Sequence, residues 1–537
     1  MTARSVARRI RSAVRPPTTL SAAQRWKGYL SAIEPALAAE VRLLRFAAPP
    51  VIEPATLAAD ELVVWIEGDG AAAQRTRASL QFSSVAPAAV LSGQLQDALA
   101  ESRADRVLLL RAGDTVAPLA LERLGQAAAL APDATLLTVD EDHLGLAGDR
   151  RLPHFHPGPS PDRWLACDDS GSAVVVSRTA AAERLREIST QTGWRHQLAL
   201  GLAGPGSAHH VHVPLLLCHR GPDEAIEPAT PSEAIGRILR GWEPGATVEN
   251  DGAIRRVRRP LVREPRVEII ICFRDKARLT RRCVRSLLSE TAYERYRVTL
   301  VDNGSVQPET AEFLAGIAGE PRVRVVRDDR PFNFAALNNA AANATDAEFL
   351  LFLNNDTEVV DGEWLHGLLE EAARPEVGAV APMLLFADGT VQHAGAALGL
   401  HGYAGHPFAG LQPDAETPFG RASGGTRNWL AVSAACMLIE RAKFEAVGRF
   451  DESFVVAGND VDLCLRLTAA GYRSLCVPRV RLLHDESRSR GDHIDAGDFA
   501  ASERSYGLFR TVGDPFYNPS LTLRATDCAV RIPGESA

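Results

Sequence analysis

Five apolar residues, Phe349-Leu350-Leu351-Phe352-Leu353, run without a break into Asn354-Asn355-Asp356-Thr357-Glu358. A short continuous apolar run is the pattern of a strand buried on both faces, which needs helices packed on either side of a sheet. The polar cluster then falls at the carboxyl end of that strand, where open α/β sheets hold their ligands. Taken alone, the run reads first as a strand with a polar turn. It reads also as a shelf on which a carboxylate holds a hard cation, and the cation a diphosphate.

The surrounding chain repeats the strand–helix alternation of a mostly parallel sheet. Val267 to Cys272 predicts a strand, Leu279 to Leu288 a helix and Tyr296 to Val301 a strand ending at Asp302-Asn303-Gly304-Ser305. Ala335 to Ala344 predicts a helix, Val377 to Val380 and Ala431 to Ile439 further strands, and Asp460 to Ala470 a helix. An earlier alternation predicts strands at Leu62–Ile66, Arg106–Leu110 and Ala134–Val139, with a helix at Ala72–Leu80. Arg106 to Asp114 echoes Glu348 to Asp356, and Val213 to His219 echoes Val477 to His484. Matching features in matching order imply an internal duplication.

A chain of 537 residues is too long for one ordinary core. The expected organisation is a basic and helical segment over 1–50, a first α/β domain over 51–250 and a linker over 251–265. A second domain follows over 266–520, then a tail over 521–537. Hydrophobic content of 46% and charged content of 23% fit a globular protein, and a net charge of -8 excludes a nucleic-acid partner as the prior expectation. Cys167, Cys218, Cys272, Cys283, Cys436, Cys464, Cys476 and Cys528 show no C-x-x-C pair. They read as buried thiols of a reducing, cytoplasmic compartment. Arg4, Arg8, Arg9, Arg11 and Arg15 lie among small apolar residues. That stretch reads as a disordered basic tail or as a basic helix touching the cytoplasmic face of the inner membrane.

The second half is similar to family 2 glycosyltransferases of the GT-A fold, in particular the bacterial polysaccharide and O-antigen, rhamnosyltransferase-like type. The residues that carry this are Arg274-Asp275, Val301 to Ser305, Phe332 to Ala335, Leu337-Asn338-Asn339 and Asn354 to Glu358. Further on they are Asp388 to Gly395, Ala404-Gly405-His406, Arg449 to Glu452, Asn459 to Arg466 and His484 to Ser487. The match is dense over 266–520. The first half resembles the same family more weakly, through Asp140-Glu141-Asp142, Pro153-His154-Phe155 and Ser160-Pro161-Asp162. The resemblance implies two Rossmann-like GT-A domains in tandem, the first a degenerate copy.

It also implies roles. Asp302 would read a pyrimidine base, an ionised carboxylate being acceptor only, and Arg274 would support base or diphosphate. Asn333, Asn338 and Asn339, with Asn354 and Asn355, would contact the nucleotide sugar; capping is the alternative for Asn333. Asp356 stands at the last place of the family's Asp-x-Asp pattern and would bind Mg²⁺ or Mn²⁺. Asn354 replaces its first carboxylate, and His484 would complete the site, favouring Mn²⁺. Asp460 would be the general base at a helix start, with Asp462 supporting through Arg466. Asn459, His393, His406 and Trp429 are acceptor candidates, core packing being the alternative for Trp429. The implied activity is inverting transfer from a UDP- or dTDP-sugar to a lipid-linked or growing glycan. The competing reading is a non-catalytic carbohydrate-binding scaffold built from decayed GT-A domains. A nucleotidyltransferase is disfavoured, since Cys272 to Lys276 lacks the glycines such a loop needs.

The first half looks incomplete. Ile66 to Asp114 is far shorter than Ile271 to Asp356, too short for counterparts of the Asp302 strand and the Asn333 loop. Trp194-Arg195-His196 stands where a counterpart of Asp460 belongs. Asp114 and His219 would form half a metal site, in a domain that positions the acceptor or mediates assembly.

Overall fold

The computed structural model describes residues 21–38, 62–188, 191–205, 209–222, 229–251, 254–485, 496–532 and 534–535. The arginine-rich start and Glu486-Ser487 lie outside them.

The first sheet is built from β1 (Leu62–Glu67), β2 (Ala89–Leu91), β3 (Arg106–Arg111), β4 (Thr115–Val116), β5 (Leu136–Leu144), β6 (Arg150–His154), β7 (Val174–Ser177) and β8 (His210–Arg220). A hairpin of β9 (Thr247–Asp251) and β10 (Ile254–Arg258) follows. The second sheet contains β11 (Val267–Phe273), β12 (Tyr296–Asp302), β13 (Val323–Arg327), β14 (Phe349–Leu353), β15 (Thr357–Val359), β16 (Val377–Leu385) and β17 (Val391–His393). After the small hairpin β18 (Ala397–Leu398) and β19 (Ala404–Gly405) come β20 (Arg427–Trp429), β21 (Cys436–Glu440) and β22 (Arg473–His484).

The duplication is visible as topology. The first sheet has the order β2-β1-β3-β7-β5-β8-β4, and the second β13-β12-β11-β14-β21-β16-β22-β15. Apart from β13 the orders correspond strand for strand, with the same directions. β1 is parallel to β2 and β3 as β11 is to β12 and β14, and β5 is parallel to β8 as β16 is to β22. β7 and β21 enter antiparallel in both. Both sheets are therefore mixed. Leu350, Leu351 and Phe352 are fully buried, as their uninterrupted apolar run requires.

Three expectations are corrected. The first half does hold a counterpart of the Asp302 strand, β2, which pairs with β1 but ends at Leu91-Ser92-Gly93 with no carboxylate. The segment expected as a linker contains β10 of the polar hairpin, which pairs with β9. Residues 521–532 of the expected tail pack against the rest of the chain. Leu521 bridges Val530, both are buried, and Arg25 of the helix Ala22–Ala38 donates to Val530 O at 3.2 Å.

The halves share one apolar core that joins Val64, Leu108 and Phe155 to Phe352, Trp429 and Tyr517. They also share a buried ionic hub. Asp162 Oδ1 accepts from Arg374 at 2.6 Å and from Arg259 at 3.3 Å, and Oδ2 accepts from Arg473 at 2.5 Å. Glu371 binds Arg259 and Arg374 in turn, each at 3.0 Å. Burial pushes the Asp162 pKa up, but Arg374, Arg473 and Arg259 outweigh it and hold the carboxyl well below the usual range. Six cysteines are buried, none is disulfide-bonded, and burial raises the Cys283 thiol to about 12. No described helix is long and apolar enough to cross a membrane.

Candidate active site

β11, β12 and β14 run parallel, so the residues after them line one edge of the second sheet. Arg274 follows β11 and is exposed. Asp275 and Lys276 adopt left-handed backbone, and Asp275 Oδ1 accepts from Val306 N and Gln307 N, each at 2.9 Å. The loops after β11 and β12 are thereby tied together.

Asp302 ends β12 and is buried. Its Oδ1 accepts from Ser305 N at 2.9 Å, an Asx turn, and its Oδ2 from Arg327 Nη1 at 2.7 Å. The half-exposed Arg327, at the end of β13, is a cation that the sequence reading missed. Its strand is largely exposed, so no apolar run announced it.

Asp356 and His484 meet because β15 pairs with β22, Thr357 opposite His484. His484 Nε2 stands 3.2 Å from Asp356 Oδ1 and 3.3 Å from Asn354 Nδ2. Its Nδ1 stands 3.3 Å from Gln392 Oε1. An amide oxygen only accepts, so when Nδ1 donates to Gln392 the Nε2 lone pair faces the space beside the Asp356 carboxylate, where a cation would take it. A ring whose second nitrogen is fixed by an acceptor is the arrangement a metal-binding histidine requires. Asp356 and His484 therefore fit a divalent cation, with the Asn354 amide beside them. Gln392 and His393 are neighbours on a strand and face opposite ways. That alternation was the available sign that Gln392 serves His484.

Asp460 reaches the same edge through main chain. Asn354 N donates to Ala435 O at 2.9 Å, and Ala434 N donates to Asp460 Oδ2 at 3.1 Å. Asp460 Oδ1 accepts from Val461 N at 2.9 Å. The N-cap of the helix Asn459–Ala469 is Gly458, with φ 90, so Asp460 lies within the first turn. A Cβ on Gly458 would come 2.6 Å from Tyr506 Oη, so only glycine allows this entry into the helix. Asp462 binds Arg466 at 2.9 Å, as the i,i+4 spacing predicts, and also accepts from Ser505 Oγ at 2.7 Å.

Other candidates are turned to structural work. Asn333 caps the helix Phe334–Asn343, accepting from Ala336 N at 2.8 Å. Asn338 donates to Phe334 O of its own helix. Asn339 donates to Phe450 O at 2.9 Å and to Glu452 Oε1 at 3.0 Å, fastening the helix to the loop 449–452. Asn339 also lines a cavity of about 660 Å³ that none of Asp302, Asp356, Asp460 and His484 lines. Asn355 is buried and donates to Thr280 Oγ1 at 3.0 Å. Asn459 is buried and lies 3.5 Å from Val456 O.

His393 is fully buried, 3.3 Å from Ser433 N, and its Nδ1 stands 3.0 Å from His406 Nδ1. Burial, then His406 and His484, hold its pKa well below the usual histidine value. Trp429 is core, not an acceptor platform. It is 1% exposed, and the buried Arg427 guanidinium lies 4.2 Å from its ring centroid. Gly395 has φ 116, and a Cβ there would fall 2.1 Å from the indole. Gly395→Ala is expected to destabilise the chain by about 2–5 kcal/mol, combining backbone strain with overpacking, as read from urea unfolding.

The first half repeats these positions with altered chemistry. Thr115 pairs with His219 as Thr357 pairs with His484. His219, however, is held by Asp142 at 2.7 Å, and Asp114 Oδ1 accepts from Gly221 N. The helix Trp194–Ala203 also starts after a left-handed glycine, and Arg195 occupies the place of Asp460. Arg195 donates to Glu67 at 2.6 Å and to Ser172 O at 3.2 Å.

Residues 268–422 match the family model "Glycosyl transferase family 2". The O-antigen biosynthesis protein RfbC of Myxococcus xanthus is 42% identical over 450 residues, 81% of this chain and 35% of that protein. The protein y4gI of Sinorhizobium fredii is 33% identical over 82% of this chain and 51% of its own length. The chain thus spans about a third and a half of these two relatives. An N-acetylglucosaminyl-diphospho-decaprenol L-rhamnosyltransferase of Mycobacterium tuberculosis is 30% identical over 241 residues, 40% of this chain and 73% of that enzyme.

Proposed function

Because the chain belongs to glycosyl transferase family 2, we propose that its second half is an inverting glycosyltransferase. It moves a sugar from a UDP- or dTDP-linked donor to a lipid-linked or growing cell-surface glycan. The observation that carries this reading is the convergence on one sheet edge of Asp302, the Asp356–His484 pair and Asp460. The names of two relatives, an O-antigen biosynthesis protein and a rhamnosyltransferase acting on a diphosphate-linked lipid, make a rhamnosyl donor and a lipid-linked acceptor the first to test.

In this reading Asp302 and Arg327 receive the base and ribose side of the donor, with Arg274 near the diphosphate. Asp356 and His484 hold Mn²⁺ or Mg²⁺, the imidazole favouring Mn²⁺. When bound, the cation neutralises charge on the leaving nucleoside diphosphate. Asp460 takes the proton from the acceptor hydroxyl. That oxygen bonds to the sugar's anomeric carbon as the bond to the diphosphate breaks, and the configuration inverts. The two N–H groups that hold Asp460 leave each oxygen a further lone pair for this proton. The first half, with Arg195 in place of a base, positions the acceptor.

The test is a panel of nucleotide sugars with Mn²⁺, scored for nucleoside diphosphate release. Asp356→Ala and His484→Gln are each expected to lower release by at least about tenfold, as losses of metal ligands do. Release that is equal with and without chelator rejects the metal assignment. No release with any donor favours the carbohydrate-binding scaffold.

A further inference from the structure

The first half holds a second cluster of metal-ligating groups, at the end of β6 and in the loop before β7. His154 Nε2 lies 3.0 Å from Asp169 Oδ1, and His156 Nδ1 lies 3.5 Å from the same oxygen. One ligand atom from each of the three residues lies within 4.8 Å of the others, the sole such trio of His, Cys, Asp or Glu among the described residues. His156 is 4% exposed, yet its Nδ1 has only the long contact to Asp169 and its Nε2 has no hydrogen bond. A buried imidazole without a hydrogen bond is costly unless something else occupies its lone pair.

We propose that His154, His156 and Asp169 bind a divalent transition-metal cation of the zinc class, separate from the cation of the transferase site. Tetrahedral bonds of about 2.0–2.2 Å put neighbouring ligand atoms about 3.3–3.6 Å apart. Of the two observed separations, 3.5 Å falls inside that range and 3.0 Å falls just below it. Arg163 Nε donates to Asp169 Oδ2 at 2.5 Å, which turns Oδ1 toward the two imidazoles. That guanidinium also cancels the carboxylate's charge. Two imidazole nitrogens then dominate the donor set, which selects zinc-like ions over Mg²⁺ or Ca²⁺. His154 is 32% exposed at its side chain, so an ion has a way in and a water can complete the coordination.

The position gives the ion a structural task. Phe155 N donates to Pro418 O at 2.7 Å, and Asn518 donates to His156 O at 3.0 Å. The segment that supplies two ligands is therefore already clasped by the second half. A cation there fixes this clasp from the other side.

The experiment uses the full chain carrying His484→Gln, so that the transferase site contributes little. The protein is treated with chelator, desalted and titrated with Co²⁺. The expected result is one equivalent bound with the visible bands of tetrahedral Co²⁺, displaced by Zn²⁺, and a higher melting midpoint with metal. Adding His154→Gln or His156→Gln is expected to weaken binding by more than the roughly tenfold that losing an outer-shell group costs. Should His156→Gln fail to fold, the partly exposed His154→Gln decides. No tetrahedral spectrum, or one that survives His154→Gln, overturns the proposal and leaves an ion-paired histidine cluster.

Discussion

Asp460→Asn is expected to lower the transfer rate by about 10²–10⁴-fold, the usual contribution of a positioned general base. The amide keeps one acceptor oxygen, so one of the N–H groups of Ala434 and Val461 loses its partner. The stability cost is about 1–3 kcal/mol. Rate and stability should therefore separate: single-turnover transfer collapses while the chain still melts cooperatively. Donor binding should change little, because the proposed role of Asp460 is on the acceptor hydroxyl. Turnover near the parent value would remove Asp460 as the base. Asp462 is no substitute, since Arg466 and Ser505 already occupy it.

Asp162→Ala is expected to destabilise the folded chain by about 3–5 kcal/mol, the cost of leaving buried charges without their counter-ion. Arg259 and Arg374 would keep the buried Glu371, and Arg473 would keep Glu376 and the Asn428 amide oxygen, but the carboxylate common to all three would be gone. Denaturant unfolding measures this directly. The sign with pH follows from the direction of the shift. The native carboxyl is depressed below its ordinary 3.8, so its contribution is complete above that pH and is lost as pH falls below it. Parent and variant should thus converge in acid and differ most near neutrality. Equal stability at neutral pH would mean that the hub stabilises no more than an apolar contact would.

Most of the strand framework was legible because buried strands write themselves as apolar runs. Leu62–Ile66, Arg106–Leu110 and Phe349–Leu353 all became strands beside the strands they pair with. β2 was not legible, since three half-buried residues carry no periodicity. The hairpin of β9 and β10 was hidden by its arginines and acids, and β13 by its exposure. At the site, Asp302 and His484 close their strands and Asp356 comes just after one, while Asp460 enters from the start of a helix. The asparagines were not so legible. An amide that can bind a sugar can equally cap a helix or tie two loops, and nothing in the sequence distinguishes Asn333 as a cap from Asn333 as a ligand. Trp429 misled similarly, because an indole beside glycines suggests a platform until Gly395 is seen pressed against it.

β22 starts at Arg473, which is gripped by Asp162 of the first half, and ends at His484 beside Asp356. One strand thus spans from the joint between the copies to the proposed place of reaction. A second half cut free of the first would therefore lose the carboxylate that holds the start of this strand.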